Sequence, residues 1–241
     1  MMSVSSLQPA GRLLLVGASR GLGLALASEF VSLGWHVTGT VRGNQHTGLH
    51  DLAVTHAGQI AIETLDIDQP DQIDSLATRL AERLSGQPFD MLFVNAGTTN
   101  TTPNQPVGQV STQDFIAIMT TNALSPMRVV DAFETLVAPE GLIGIMSSGQ
   151  GSIANNETGL RELYRGSKAA LNQFMRCYDA RQKHQRPLAL IAPGWVRTTL
   201  GGPDARLSIE ESIPGVTRCL MDHRSKKGLI YRDYAGRDVP W

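Results

Sequence analysis

Tyr164 and Lys168 stand four residues apart in a stretch whose apolar residues recur at helical spacing, so both side chains lie on one helix face. A phenol titrates near ~10, and a neighbouring ammonium favours the phenolate, which brings the group toward the range of general acid/base work. Hydride chemistry on a carbonyl needs such an acid. Tyr is also a common half-buried packing residue, so the pair takes its meaning from its surroundings.

A second set lies near the start. The apolar run Arg12–Val16 leads into Gly17-Ala18-Ser19-Arg20-Gly21-Leu22-Gly23 and then into a helical pattern. Glycines at a turn from strand to helix let the backbone approach phosphates, and the free N–H groups and dipole of the helix start favour their charge. The spacing is not GxGxxG, so the flanking strand and helix carry the reading of a dinucleotide site. About twenty residues on, an NAD enzyme would place an acid against the ribose 2′-hydroxyl. Here stand Val41 and Arg42, with no acid before Asp51. Arg20 and Arg42 suit a 2′-phosphate, so NADP(H) is expected in preference to NAD(H). Asp66 closes the third strand, where a carboxylate either accepts from an adenine amino group or caps a turn; the residues leave both open.

These groups must be positioned by elements that the pattern supplies. Apolar runs at 12–16, 35–41, 59–65, 89–94, 141–146, 187–192 and 228–231 read as buried strands, and helical spacing covers 22–33, 71–84, 112–136 and 162–184. Pro126 should kink or break the third of these helices. The alternation implies an α/β fold: a single Rossmann-type domain over 1–241, a doubly wound parallel sheet of about seven strands in the order 3-2-1-4-5-6-7.

Composition excludes other classes. With 21 Lys+Arg against 22 Asp+Glu, the net charge of -1 gives nucleic acid no foothold. No apolar run reaches the ~20 residues of a membrane span. Residues 1–11 hold no basic n-region, and Cys177 and Cys219 form no CxxC, so a reducing cytoplasm is expected. The six histidines show no metal-ligand spacing.

The ordered set GASRGLG, Val94-Asn95-Ala96-Gly97, Asn122, Ser147-Ser148, Tyr164-Arg165-Gly166-Ser167-Lys168 and Pro193-Gly194-Trp195-Val196-Arg197-Thr198 resembles the short-chain dehydrogenase/reductase family. Its later half, including SSGQGSIANN and the ending DYAGRDVPW, is similar to the C-factor and sniffer-like carbonyl reductase branch. The resemblance implies Tyr164 as acid/base, Lys168 as its pKa partner and nicotinamide-ribose anchor, Ser148 as carbonyl orienter and Asn122 as holder of a relay water. It further implies that Asn95, Ala96 and Gly97 border the adenosine half of the cofactor and that Pro193 and Gly194 floor the nicotinamide. Val196 and Thr198 would hold the carboxamide and pyrophosphate end. Ser147 is the less favoured hydroxyl.

Two departures stand out: Val16 and Val94 replace a Thr and an Asn common in the family, which removes two hydrogen bonds and puts the rigidity of the cofactor loop in question. The Ser148-to-Tyr164 interval carries an insertion, Gly151 to Asn156, expected to wall the substrate pocket. A lid is expected near 198–215, hinged at Gly201 and Gly202, with Ser208 and Glu211 forming a capping box that restarts the helix. The implied activity is NADPH-dependent reduction of a small carbonyl, or the reverse oxidation of an alcohol, by a homo-oligomer, either dimer or tetramer. The alternative is a dinucleotide-binding signalling or regulatory protein of C-factor type, against which the four filled catalytic positions argue.

Overall fold

Seven short apolar runs pair side by side in the computed structural model, which describes residues 10–241. They are β1 (Arg12–Val16), β2 (His36–Val41), β3 (Ile60–Thr64), β4 (Phe89–Val94), β5 (Val137–Met146), β6 (Pro187–Ala192) and β7 (Gly228–Asp233). All pairings are parallel, and the order is β3-β2-β1-β4-β5-β6-β7, as the pattern predicts. The expectation of no leader concerns residues 1–11, of which 1–9 lie outside the described residues.

Strand periodicity sends alternate side chains to two cores. Leu14, Val16, Leu92 and Val94 pack beneath α3 (Pro70–Leu84), α5 (Ser125–Phe133) and α6 (Glu162–Arg181). Leu13, Leu15, Met91 and Phe93 pack beneath α1 (Gly21–Ser32) and α7 (Ile209–His223). With both faces covered, the central strands are apolar throughout rather than alternating. α3 shows how local signals agree: Pro70 opens it, Ile73, Leu76, Leu80 and Leu84 form the buried stripe, and Ser85 ends it in a left-handed conformation. α2 (Gly48–Thr55) is a short helix that the apolar pattern does not reveal; it buries only Leu49 and is opened by a Thr47/His50 capping box.

The stretch 112–136 divides as Pro126 requires. α4 (Thr112–Met119) passes into a π turn (Thr120–Leu124), then α5, then a 3-10 turn (Glu134–Leu136). Proline has no N–H for the carbonyl of Asn122, four residues back, and its ring crowds that oxygen, so the helix widens just before it. Asn122 lies within the widened turn and is fully buried.

The site follows from the strand order. Chain direction across the sheet reverses between β1 and β4, so the loops leaving their carboxyl ends diverge and open a crevice. The Gly17 loop and the Asn95 loop leave there.

Candidate active site

The turn after β1 is held by contacts that only glycine permits. Gly17 has φ +89°, and a Cβ there would stand 2.9 Å from the Ala96 backbone nitrogen; at Gly23 a Cβ would lie 1.9 Å from the Gly17 carbonyl oxygen. Arg20 caps α1 with no side-chain hydrogen bond, and the first helical turn holds no acid, so its N–H groups remain free for an anion. Ser19 and Leu22 flank Arg20 and Gly21 at this helix start, partly exposed.

The questioned rigidity has a different source. Gly17 N–H donates to Thr40 Oγ1 (2.9 Å), Ala18 N–H to the Thr40 carbonyl (2.8 Å), and Asn95 Nδ2 to the Gly17 carbonyl (2.8 Å). Thr40, at the end of β2, is buried, and the sequence reading passed over it. Its neighbour Arg42 directly follows β2. Arg42 and Arg20 are both exposed, and neither forms an ion pair among the described residues. For Asp66 the turn is formed: its Oδ1 accepts from Asp68 N–H at 3.1 Å.

Across the crevice, α6 presents Tyr164 and Lys168, 8% and 3% exposed, from one face. Lys168 Nζ donates to the Met146 carbonyl (3.0 Å) at the end of β5, and burial pulls its pKa down to about 8. Burial pushes the Tyr164 phenol up from its ordinary value, while the Ser148 hydroxyl and then the Arg161 guanidinium draw it down. The Arg161 guanidinium lies over the Tyr164 ring, 4.8 Å from its centre. At neutral pH the phenol keeps its proton and the ammonium its charge, as a proton donor beside a cation requires.

Asn122 connects the surrounding elements. Its Oδ1 accepts from Thr98 N–H (2.8 Å), and its Nδ2 donates to the Thr98 carbonyl (2.8 Å) and to Ser167 Oγ (3.0 Å). A Cβ on Gly97 would stand 3.4 Å from Asn122 Oδ1 and 3.5 Å from Lys168 Nζ, so Gly97 passes close to both groups, while Asn95 and Ala96 before it lie against Gly17. Of the two serines, Ser147 is buried and donates to Asn172 Oδ1 (2.6 Å). Ser148 is partly exposed and accepts from Gln150 N–H (3.1 Å), and its backbone carbonyl accepts from the Tyr231 hydroxyl. Ser147 is committed to structure; Ser148 is available.

The loop after β6 forms the third wall. Pro193 is buried, and its carbonyl accepts from Ser212 Oγ (2.7 Å); Gly194 has φ +84°, where a Cβ would meet Leu207 at 2.4 Å. Val196 bridges Leu207, and Thr198 faces Gly21, its methyl carbon 3.7 Å from the position of a Cβ there. Trp195, Arg197, Gly202 and Leu207 bond within the loop itself: Leu207 N–H to the Trp195 carbonyl, Arg197 N–H to that of Leu207, Trp195 Nε1 to that of Gly201 and Gly202 N–H to that of Thr198. The Ser208/Glu211 capping box is present and starts α7, so residues 209–215 are helical, with Ser212 and Ile213 buried.

A free helix N-terminus, a glycine turn without room for side chains, two unpaired arginines and a buried phenol and ammonium together fit a dinucleotide with its reactive end at Tyr164. No group of three or more His, Cys, Asp or Glu residues suited to a metal occurs among the described residues. Thr40 sets the order of the phosphate-side turn. Thr40→Val removes the acceptor of Gly17 N–H and should cost about 1–3 kcal/mol, read by denaturant unfolding; unchanged stability would show that the bond carries no weight.

Comparisons with known proteins agree with this geometry. Residues 12–206 match the short chain dehydrogenase family. A Burkholderia multivorans protein named as a short-chain dehydrogenase/reductase, solved with bound NADP, is 62% identical with a TM-score of 0.93, covering 97% of this chain and 100% of its own. A carbonyl reductase from Pseudomonas aeruginosa in complex with NADP is 34% identical with a TM-score of 0.86, covering 96% and 99%. The C-signal protein of Myxococcus xanthus is 34% identical over 157 residues, 64% of this chain and 93% of its own. With the family matched over most of its length and the site assembled at the crevice between β1 and β4, the chain belongs to the short-chain dehydrogenase/reductase family of NAD(P)-dependent oxidoreductases.

Proposed function

We propose that this oxidoreductase is an NADPH-dependent carbonyl reductase, interconverting a small carbonyl compound and its alcohol. The observation that carries the reading is the buried Tyr164 phenol, kept protonated by its surroundings beside an available Ser148 hydroxyl. The NADP-bound relatives support it. Bound NADPH would supply the hydride. Tyr164 would give its proton to the carbonyl oxygen, Ser148 would hold that oxygen, Lys168 would anchor the ribose, and Asn122 would hold a relay water. Gly17 to Gly23, with Asn95 to Gly97, would take the phosphate and adenosine parts and Asp66 the adenine. Pro193, Gly194, Val196 and Thr198 would take the nicotinamide end. The likeness to C-signal favours a second reading, a dinucleotide-binding regulatory protein with little turnover. Following NADPH absorbance with a panel of aldehydes, ketones and quinones separates the two: oxidation of the cofactor supports the reductase, and saturable binding without it overturns that reading.

Three further features are proposed with it. The loop from Thr198 to Leu207, tied to Trp195 and Arg197 at its base, acts as a lid. Exposed Phe115, Ile116, Leu124 and Phe174 on α4, the π turn and α6 support a homo-oligomer. The free Cys177 and Cys219 suit a reducing cytoplasm. Amide exchange with and without NADPH tests the lid, light scattering the assembly, and fractionation of cells the location; equal protection, a monomer or export would contradict them in turn.

Cofactor choice rests on Arg20 and Arg42. Replacing both with alanine should reduce the preference for NADPH over NADH by about tenfold or more in dissociation constants; equal constants in the unmodified protein would contradict the assignment. Because burial lowers the pKa of Lys168 to about 8, its ammonium is lost as pH rises through that value. NADPH affinity should therefore hold below pH 8 and weaken above it, and the dependence should disappear in Lys168→Met. A flat profile in the unmodified protein would remove the anchoring role.

A further inference from the structure

Arg161 is an unpaired cation at the proton donor. It caps α6 in a left-handed conformation, φ +61°, which a side chain other than glycine adopts only under constraint. Its guanidinium lies 4.8 Å from the centre of the Tyr164 ring, and its one side-chain hydrogen bond among the described residues is a long one, from Nη2 to Thr99 Oγ1 at 3.4 Å. It forms no ion pair among the described residues. The adjacent carboxylate, Glu162, accepts instead from Val107 N–H at 2.9 Å. Arg161 Nε is buried and has no hydrogen-bond partner among the described residues.

Buried polar atoms in folded proteins are nearly always paired, so a buried guanidinium N–H left without an acceptor among the described residues, on a side chain that faces the Tyr164 ring, marks a place that an acceptor ligand completes. An arginine has five donors in a planar fork, and stacking on a tyrosine orients the fork without using them. The group that satisfies such a fork is a carboxylate, taken through two parallel bonds. Exposed Leu160, the residue before Arg161, adds apolar surface there.

We infer that Arg161 forms an anion subsite next to Tyr164, with Thr99 at its border, which selects carbonyl substrates carrying a carboxylate on an apolar or aromatic body. The inference rests on the reductase reading and narrows its substrate class to oxo acids and formyl acids.

Matched acid and ester pairs test it. Phenylglyoxylate and 4-formylbenzoate place the carboxylate at two distances from the carbonyl, and their methyl esters keep the carbonyl while removing the charge. The readout is the ratio of kcat/KM for acid over ester within one protein, so a general loss of activity in a variant cancels. In the unmodified enzyme the ratio should exceed about ten for at least one pair, mainly through KM, and fall with added salt. In Arg161→Met it should fall to about one or below, and in Arg161→Lys to a value between. Calorimetric titration with 4-(hydroxymethyl)benzoate and its methyl ester reads the same preference without turnover. Esters reduced as well as acids in the unmodified enzyme, or a ratio unaltered by Arg161→Met, would overturn the subsite while leaving the reductase in place. No NADPH oxidation with any acid or ester would overturn the reductase reading and the subsite with it.

Discussion

A single buried amide holds the loop after β4 and the Tyr164 helix in register. Asn122 reaches both backbone groups of Thr98 and the Ser167 hydroxyl, so it binds the loop after β4 to α6 across the widened turn that carries it. Ser167 in turn donates to the Tyr164 carbonyl at 2.8 Å. The position of Tyr164 relative to the crevice therefore depends on an amide whose own placement depends on Pro126 and the loss of one helical hydrogen bond. Asp68 reinforces that turn from outside, accepting from Thr121 Oγ1 (2.6 Å) and Ser125 Oγ (2.8 Å).

Around this joint, burial does the electrostatic work. Lys168 and Tyr164 share one helix face and little solvent, and desolvation moves the two in opposite directions: the ammonium is easier to deprotonate and the phenol harder. The counterweights are local, the Ser148 hydroxyl and the Arg161 guanidinium. Ser147, one residue earlier, donates to Asn172; a shift of one residue along the strand end separates a structural hydroxyl from an available one. The opposite half of the crevice is rigid for another reason, the interlock of Gly17 with Thr40 and Asn95.

Much of this was legible in the sequence because it rests on local pattern. The apolar runs gave the strands, with three of them, 12–16, 89–94 and 187–192, bounded to the residue. β5 begins earlier than its apolar run, at Val137, since Ala138 to Glu140 extend the strand without burying side chains, and the pairing shifts between Phe89 and Met91. What stayed hidden depends on contacts distant in sequence. Thr40 lies 23 residues from Gly17, and nothing in its neighbourhood marks it as the acceptor for that loop. Tyr231 lies 83 residues from Ser148. Arg161 is close to Tyr164 in sequence, yet three positions on a helix face would suit a surface arginine equally well; its left-handed backbone and missing partner emerge only in three dimensions.

The central claim is that the Tyr164 phenol is the proton donor and that its hydroxyl, not its ring, is what turnover requires. Tyr164→Phe keeps the ring over which Arg161 stacks and removes the hydroxyl alone. The measurement is NADPH oxidation with a reducible carbonyl, set beside the NADPH dissociation constant of the same variant. The account predicts turnover lowered by about 100-fold or more with the dissociation constant nearly unchanged. Turnover close to that of the unmodified protein would contradict it.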